Sequence, residues 1–307
     1  MNTLSAADRL TLARLSLDGL SVGDALGTAL GEFGNHDGDA ERRHEPSRHP
    51  WATTDDTEMG IAVVETLESQ GLIDSDELAQ RFAARFVRDP DRGYGGGARK
   101  LLLAYARGGR WQDLAGNMFN GQGSKGNGSA MRAMPIGAYF ADDPKEIVEN
   151  ATQSALPTHA HPEGVAGAVI AALAAGWATR RAQDKGIGSL FDFVLPHAPK
   201  GAVHTGVVRA MNLSLQVSAW DAAHALGFGR NVLAEDTVPF ALWVCARHPD
   251  SFEDALWTVA TPGGDRDTLC AIVGGIVALS AGRESIPQSW LHSRESLSPT
   301  QLDRDAG

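Results

Sequence analysis

Apolar residues recur at helical spacing almost from one end of the chain to the other. Met59, Ala62, Val63, Thr66 and Leu67 fall on one face of a 3.6-residue repeat, and Leu269, Ile272, Val273, Ile276 and Ser280 do the same near the C-terminus. The spacing returns around residues 76–88, 97–107, 129–141, 145–156, 160–181, 204–218, 235–248 and 252–260, each of which is predicted as a helix. Ser5 ahead of Leu10, Leu12 and Leu15 predicts a capped amphipathic helix at the start. Alternating runs of strand length are scarce, and Gly201–His204 is too short to count. The pattern predicts an all-α protein.

Breaks fall at Gly31–Pro50, Gly108–Ser129 and Asp184–Gly188, the first two rich in Gly, Asn, His and charge. None separates segments that look self-sufficient, and no internal repeat is evident. The economical reading is a single domain over residues 1–290 with functional loops, followed by a polar, flexible C-terminal tail over 291–307. The longest apolar stretch, 164–178, is Ala/Gly-rich and shorter than the roughly 20 residues of a membrane span, so no membrane segment is expected.

Charge and cysteine content narrow the function classes. A formal charge of -11 over 307 residues argues against a nucleic-acid surface, which needs a stripe of Lys and Arg to displace counterions. An anionic substrate would require local positive charge, and metal ions are one source of it. Cys245 and Cys270 lie in apolar helical stretches without redox or metal spacing, which fits buried free thiols in a reducing cytoplasm. A monomer is expected.

Two acidic motifs, Thr54-Asp55-Asp56-Thr57 and Asp265-Arg266-Asp267-Thr268, stand in the same place, just ahead of a helix whose apolar face begins two to three residues later. Either one alone is equally a pair of helix caps. Each, however, brings two carboxylates and a hydroxyl within four residues, and adjacent carboxylates repel unless a cation or a proton intervenes. An all-oxygen donor set without His or Cys suits Mg²⁺ or Mn²⁺, and two such ions sharing an Asp can activate a water.

Four segments in order, Gly23-Asp24-Ala25-Leu26-Gly27, Trp51–Met59 with the first acidic motif, Gly123-Ser124-Lys125-Gly126-Asn127-Gly128-Ser129 running on to Arg132, and Gly263-Gly264 with the second motif, closely resemble the ADP-ribosylglycohydrolase family. The resemblance spans residues of about 20 to 290. It implies a single-domain orthogonal helical bundle, a centre of two Mg²⁺ or Mn²⁺ ions, and hydrolysis of the glycosidic bond between ADP-ribose and an acceptor. The substrate class implied is an ADP-ribosylated protein, arginine first, or an ADP-ribose-containing small molecule. By position Thr54, Asp55, Asp56, Asp265, Asp267 and Thr268 are the implied metal ligands. The fold also hosts members that bind ADP-ribose without cleaving it, and serine-, nucleobase- and O-acetyl-linked ADP-ribose stand as other substrates.

The resemblance also gives roles to segments that are ambiguous on their own. A Gly-rich turn running into a helix is a plausible phosphate cradle or a plain loop; the family implies that Gly123, Ser124, Gly126, Asn127 and Gly128 hold the diphosphate and nearby ribose. Arg92-Gly93-Tyr94-Gly95-Gly96-Gly97 is similar to a segment lining the family's ligand cleft, which makes Tyr94, Gly95 and Gly97 candidates, with buried packing the other reading for Tyr94. The pair Thr158-His159 implies that His159 faces ribose or phosphate, whereas His161 reads as a capping or core residue. Two departures stand out. Lys125 occupies a place where relatives carry an aromatic residue, and the acid/base carboxylate expected after the first segment is Glu32, one residue later than usual, with Glu41 and Glu45 as substitutes. The catalytic set is therefore Glu32, Asp55 and Asp56.

Overall fold

The computed structural model describes residues 4–31, 40–184 and 186–297. Among them the main helices are α1 (Ala6–Leu30), α2 (Asp55–Gln70), α3 (Ser75–Arg88), α4 (Gly96–Ala106), α5 (Met134–Tyr139), α6 (Pro144–Ala155), α7 (Pro162–Gln183), α8 (Ala202–Asn212), α9 (Ala219–Leu226), α10 (Ala234–Arg247), α11 (Phe252–Ala260) and α12 (Arg266–Ala281). The described residues contain no strand, only isolated bridges between Trp51 and Arg294 and between Gly126 and Leu233. The all-α expectation holds, and one continuous apolar core runs through the bundle.

Most predicted boundaries lie within a few residues of the observed ones, because side-chain caps mark them. Ser5 accepts from the Asp8 backbone N–H, and Thr54, Asp74, Asp143, His161 and Ser251 each cap a helix in the same way. The predicted helix over 204–218 is shorter than expected. It stops at Asn212, and Ser218 caps α9 by accepting from Asp221 N–H at 3.1 Å.

A stripe of glycines positions the site. Gly19, Gly23 and Gly27 repeat every four residues on α1 and face the backbone of α12. A Cβ on them would come within 2.3 Å of Gly274 O, 2.1 Å of Cys270 O and 2.5 Å of Arg266 O. Glycine is what allows two helix backbones to approach this closely. The contact runs antiparallel, so the end of α1 lies beside the start of α12. Buried Arg266 fastens the junction, donating to the carbonyls of Ala260 (2.9 Å) and Gly31 (2.9 Å).

The flexible tail expected from residue 291 needs correction over its first part. A short helix spans Gln288–Ser293, Trp51 N–H donates to Ser293 O at 2.7 Å, and Glu295 accepts from Thr53 N–H at 2.7 Å and from the Arg92 guanidinium. Polar residues 293–295 are held because they satisfy the backbone of the segment leading to α2 and the Arg92 guanidinium that follows α3. No helix among the described residues is long and apolar enough to cross a membrane. Cys245 and Cys270 are free and buried, as their setting implied.

Candidate active site

Both acidic motifs stand at helix N-termini that open into one cleft of about 770 Å³. Asp55 and Asp56 begin α2, and Asp265 immediately precedes α12, with Asp267 and Thr268 in its first turn. All five line the cleft, although about 210 residues separate the motifs in the chain. The cleft is also lined by Gly93, Gly95 and Gly97, by the loop from Gly123 to Gly128, and by His159.

The turn that makes the second motif needs glycine. Gly263 and Gly264 both have positive φ, +76° and +78°, and a Cβ on Gly264 would sit 2.0 Å from Phe228 O. Asn127 then pins the motif in place. Its Nδ2 donates to Asp265 Oδ2 at 2.6 Å and to Thr237 Oγ1 at 3.0 Å. Asn127 was expected to contact the diphosphate; its side-chain amide instead ties the Gly-rich loop to the acidic motif.

Asp24 organises the first motif. It lies fully buried on α1, and its carboxylate accepts from Thr54 N–H (2.8 Å), Thr54 Oγ1 (2.9 Å), Thr57 N–H (3.2 Å) and the Thr57 hydroxyl. A buried carboxylate is tolerable when donors surround it, and these four do so here with the Thr28 hydroxyl as a fifth at 3.4 Å. Residue-by-residue reasoning passed over Asp24, though an acid within the apolar run Leu20–Leu30 was the available signal. Thr54 was expected to ligate a metal; it does not line the cleft, because its hydroxyl is spent on Asp24 and on capping Asp56 N–H at 3.2 Å. Asp24→Asn would turn an amide N–H₂ toward those donors, so it is expected to lower turnover at least about tenfold, the scale of losing a group that orients a ligand. Steady-state kinetics beside a far-UV spectrum checks this.

The carboxylates strain one another electrostatically. Burial, then the charges of Asp267 and Asp24, push Asp55 well above the usual carboxylate range. Burial followed by Asp267, Asp24, Asp55 and Asp265 does the same to Asp56. Asp24 is raised to about 7 by burial and by Asp267, against the pull of its Thr54 and Thr57 donors. Among the side chains lining the cleft Lys125 is the one Lys or Arg, and it sits at the rim, 3.2 Å from Glu235. Asp56 Oδ2 is buried and without a hydrogen-bond partner.

That orphaned oxygen and the uncompensated cluster fit hard divalent cations, with Asp55, Asp56, Asp265, Asp267 and Thr268 as oxygen donors. The groups are not drawn into a closed shell: among the described residues no three His, Cys, Asp or Glu side chains converge as a ready coordination site.

Other expectations fare unevenly. Tyr94 does not line the cleft; its ring is buried and packs edge-on against Phe86, 5.1 Å between centroids, so packing is its observed role. Glu32 lies outside the described residues. Its substitutes are engaged elsewhere, Glu41 with Trp220 Nε1 at 2.9 Å and Glu45 with Trp290 Nε1 at 2.8 Å, and neither lines the cleft. His161 caps α7, its Nδ1 accepting from Glu163 N–H at 3.0 Å. Sequence reasoning missed Phe119 and Val232, which line the cleft half-exposed at φ 53° and 55°. Such backbone outliers cluster at functional sites, and periodicity carries no trace of them.

The family model for ADP-ribosylglycohydrolase matches residues 5–306. The chain belongs to the ADP-ribosylglycohydrolase family. The family's activity is hydrolysis, and the ordered motifs that resembled the family are those the fold gathers round the cleft. ADP-ribosylhydrolase ARH3 of Mus musculus is 31% identical over 81% of this chain and 75% of its own length. The Homo sapiens ARH3 is 29% identical over 97% and 93%. ADP-ribosylarginine hydrolase Tri1 of Serratia proteamaculans is 24% identical over 93% and 75%. A solved structure described as an ADP-ribosylglycohydrolase-related protein complex shares the fold, with a TM-score of 0.64 over 94% of each chain at 24% identity.

Proposed function

We propose that this ADP-ribosylglycohydrolase releases ADP-ribose from an acceptor by hydrolysing the glycosidic bond at a centre of two Mg²⁺ or Mn²⁺ ions. The observation that carries the reading is that four carboxylates from two distant segments line one cleft together with a glycine-rich loop. Acidic side chains beside a glycine-rich backbone suit a ligand with hydroxyls at one end and an anionic diphosphate in the middle.

Asp55, Asp56, Asp265, Asp267 and Thr268 are the residues that would hold the ions, with Asp24 and Asn127 fixing the two motifs from behind. When bound, such ions polarise coordinated oxygens and make a nucleophile available near neutral pH. The N–H groups of Gly123, Gly126 and Asn127 are given to Met118 O, Ser124 Oγ and Val232 O, so those of Ser124, Lys125 and Gly128 are the ones that hold the diphosphate, and the Lys125 side chain adds a cation at its edge. Phe119 offers an exposed ring at the cleft mouth on which a flat base stacks. Cleavage at the anomeric carbon passes through oxocarbenium-like character, so the anionic carboxylates facing it stabilise the developing charge. A carboxylate of the first motif accepts the proton of the attacking water.

Arginine-linked ADP-ribose is the first substrate proposed, because Tri1, which covers most of this chain, is named for that linkage. Incubation with arginine-, serine- and nucleobase-linked ADP-ribose, reading free ADP-ribose, is expected to give release from the arginine conjugate. Binding of ADP-ribose without release from any conjugate would identify a binding relative instead of an enzyme.

Lys125→Ala is expected to raise KM by up to about fivefold, the scale of one exposed charge contact, with little change in kcat. The wild-type KM should rise with ionic strength more steeply than the variant's, which a salt series measures.

A further inference from the structure

His159 stands at the end of a hydrogen-bond chain that starts from a fully buried guanidinium. Arg132 Nη2 donates to Ser154 O at 2.7 Å and to Thr158 Oγ1 at 2.9 Å, and Nη1 donates to Gly128 O at 2.8 Å. Its Cζ lies 4.5 Å from the centre of the Phe82 ring. A guanidinium has donors only, so Thr158 Oγ1 is the acceptor in that bond.

The single hydroxyl proton of Thr158 is then available for the other contact Oγ1 makes, with His159 Nδ1 at 2.8 Å. Were Nδ1 the donor instead, the Thr158 proton would have no acceptor, since the hydroxyl has no further partner among the described residues. A proton given to Nδ1 requires a lone pair there, which leaves the ring proton on Nε2. On that side the ring meets glycine: a Cβ on Gly126 or on Gly128 would lie 3.2 Å from Nε2. Two glycines thus leave the N–H edge of the imidazole open to the cleft it lines.

The geometry points to Thr158 as a positioning residue: backed by Arg132, its hydroxyl locks His159 in the Nε2–H tautomer, so that the imidazole meets the ligand as a neutral hydrogen-bond donor and not as a base. The ligand group this recognises is an oxygen acceptor, a phosphate or ribose oxygen, and that assignment alone rests on the proposed ADP-ribose reading. Burial and the neighbouring Arg132 charge hold the imidazole pKa down to about 3, which keeps it neutral across the working range. With its cleft-facing nitrogen already protonated, His159 cannot take the proton of the attacking water. That proton goes to a carboxylate across the cleft.

The test is a long-range ¹H–¹⁵N correlation spectrum of the full-length protein labelled at histidine, at pH 7, with His159 assigned by its loss in His159→Gln. The expected result is a protonated Nε2 and an unprotonated Nδ1. Calorimetry with ADP-ribose is expected to show Thr158→Val binding about tenfold more weakly, the worth of one hydrogen bond, and Thr158→Ser binding as wild type with the same tautomer. A protonated Nδ1, or an imidazolium, in the wild type overturns the proposal; so does wild-type affinity in Thr158→Val. If Thr158→Val does not fold, the wild-type and Thr158→Ser spectra still decide. Failure of the wild type to bind ADP-ribose refutes the ligand assignment and leaves the tautomer readable.

Discussion

Asp56→Asn is expected to cost at least a hundredfold in turnover while leaving the metal-free protein as stable as the wild type or more so. Removing a group that merely orients a metal ligand costs about 10- to 100-fold, and Asp56 presents an unpartnered buried oxygen to the cleft itself. Stability moves the other way because Asp56 is already held above its usual range by burial and by Asp267, Asp24, Asp55 and Asp265. At neutral pH its ionised form is a burden on the folded state, and a neutral amide relieves it. The sign follows from linkage, since a carboxylate with a raised folded-state pKa opposes folding above its unfolded value of about 4. A gain on the order of 1 kcal/mol, about 2 °C in Tm, is the scale expected in EDTA. Added Mg²⁺ should raise the wild-type Tm and leave the variant unmoved. A variant that melts several degrees lower without metal, or keeps wild-type turnover, contradicts this picture.

The largest loss of stability is expected from Gly23→Ala. The added Cβ would lie 2.1 Å from Cys270 O, a backbone atom in the middle of α12 with no side-chain freedom to yield. Overpacking of this kind costs about 3 kcal/mol or more, and here it also separates the helix ends that bring Asp24 beside the second motif. Gly96→Ala is the control: nothing lies within 4 Å of its added Cβ, so the exchange should be neutral or stabilise by up to about 1 kcal/mol through helix propensity. Urea unfolding of the two variants measures the contrast. Equal midpoints would contradict the close α1–α12 contact.

The two substitutions mark where sequence and structure part. Helix periodicity made α2 and α12 legible, and the doubled carboxylates at their N-termini made the acidic motifs legible, because both are local signals. The glycine repeat at 19, 23 and 27 was present in the sequence, but its meaning lies in which helix it faces, and α12 begins about 240 residues later. Asp24 escaped for the same reason, since its partners Thr54 and Thr57 come from another helix start. The family resemblance made Asn127 a ligand contact, and only the fold shows its amide on Asp265. Tyr94 sits in a glycine-rich turn that lines the cleft, yet neighbouring residues of a turn point opposite ways, and its ring went inward to Phe86. Local chemistry identified the motifs; the long-range contacts that aim them could not be read from spacing.

The central claim is that paired acidic motifs make this cleft a metal-dependent glycosidic hydrolase site. The most direct measurement is free ADP-ribose released from an arginine-linked conjugate by the purified protein, in Mg²⁺ and again in EDTA. Release that stops in EDTA and returns when Mg²⁺ is restored is the predicted result, and release at the same rate in EDTA would contradict it.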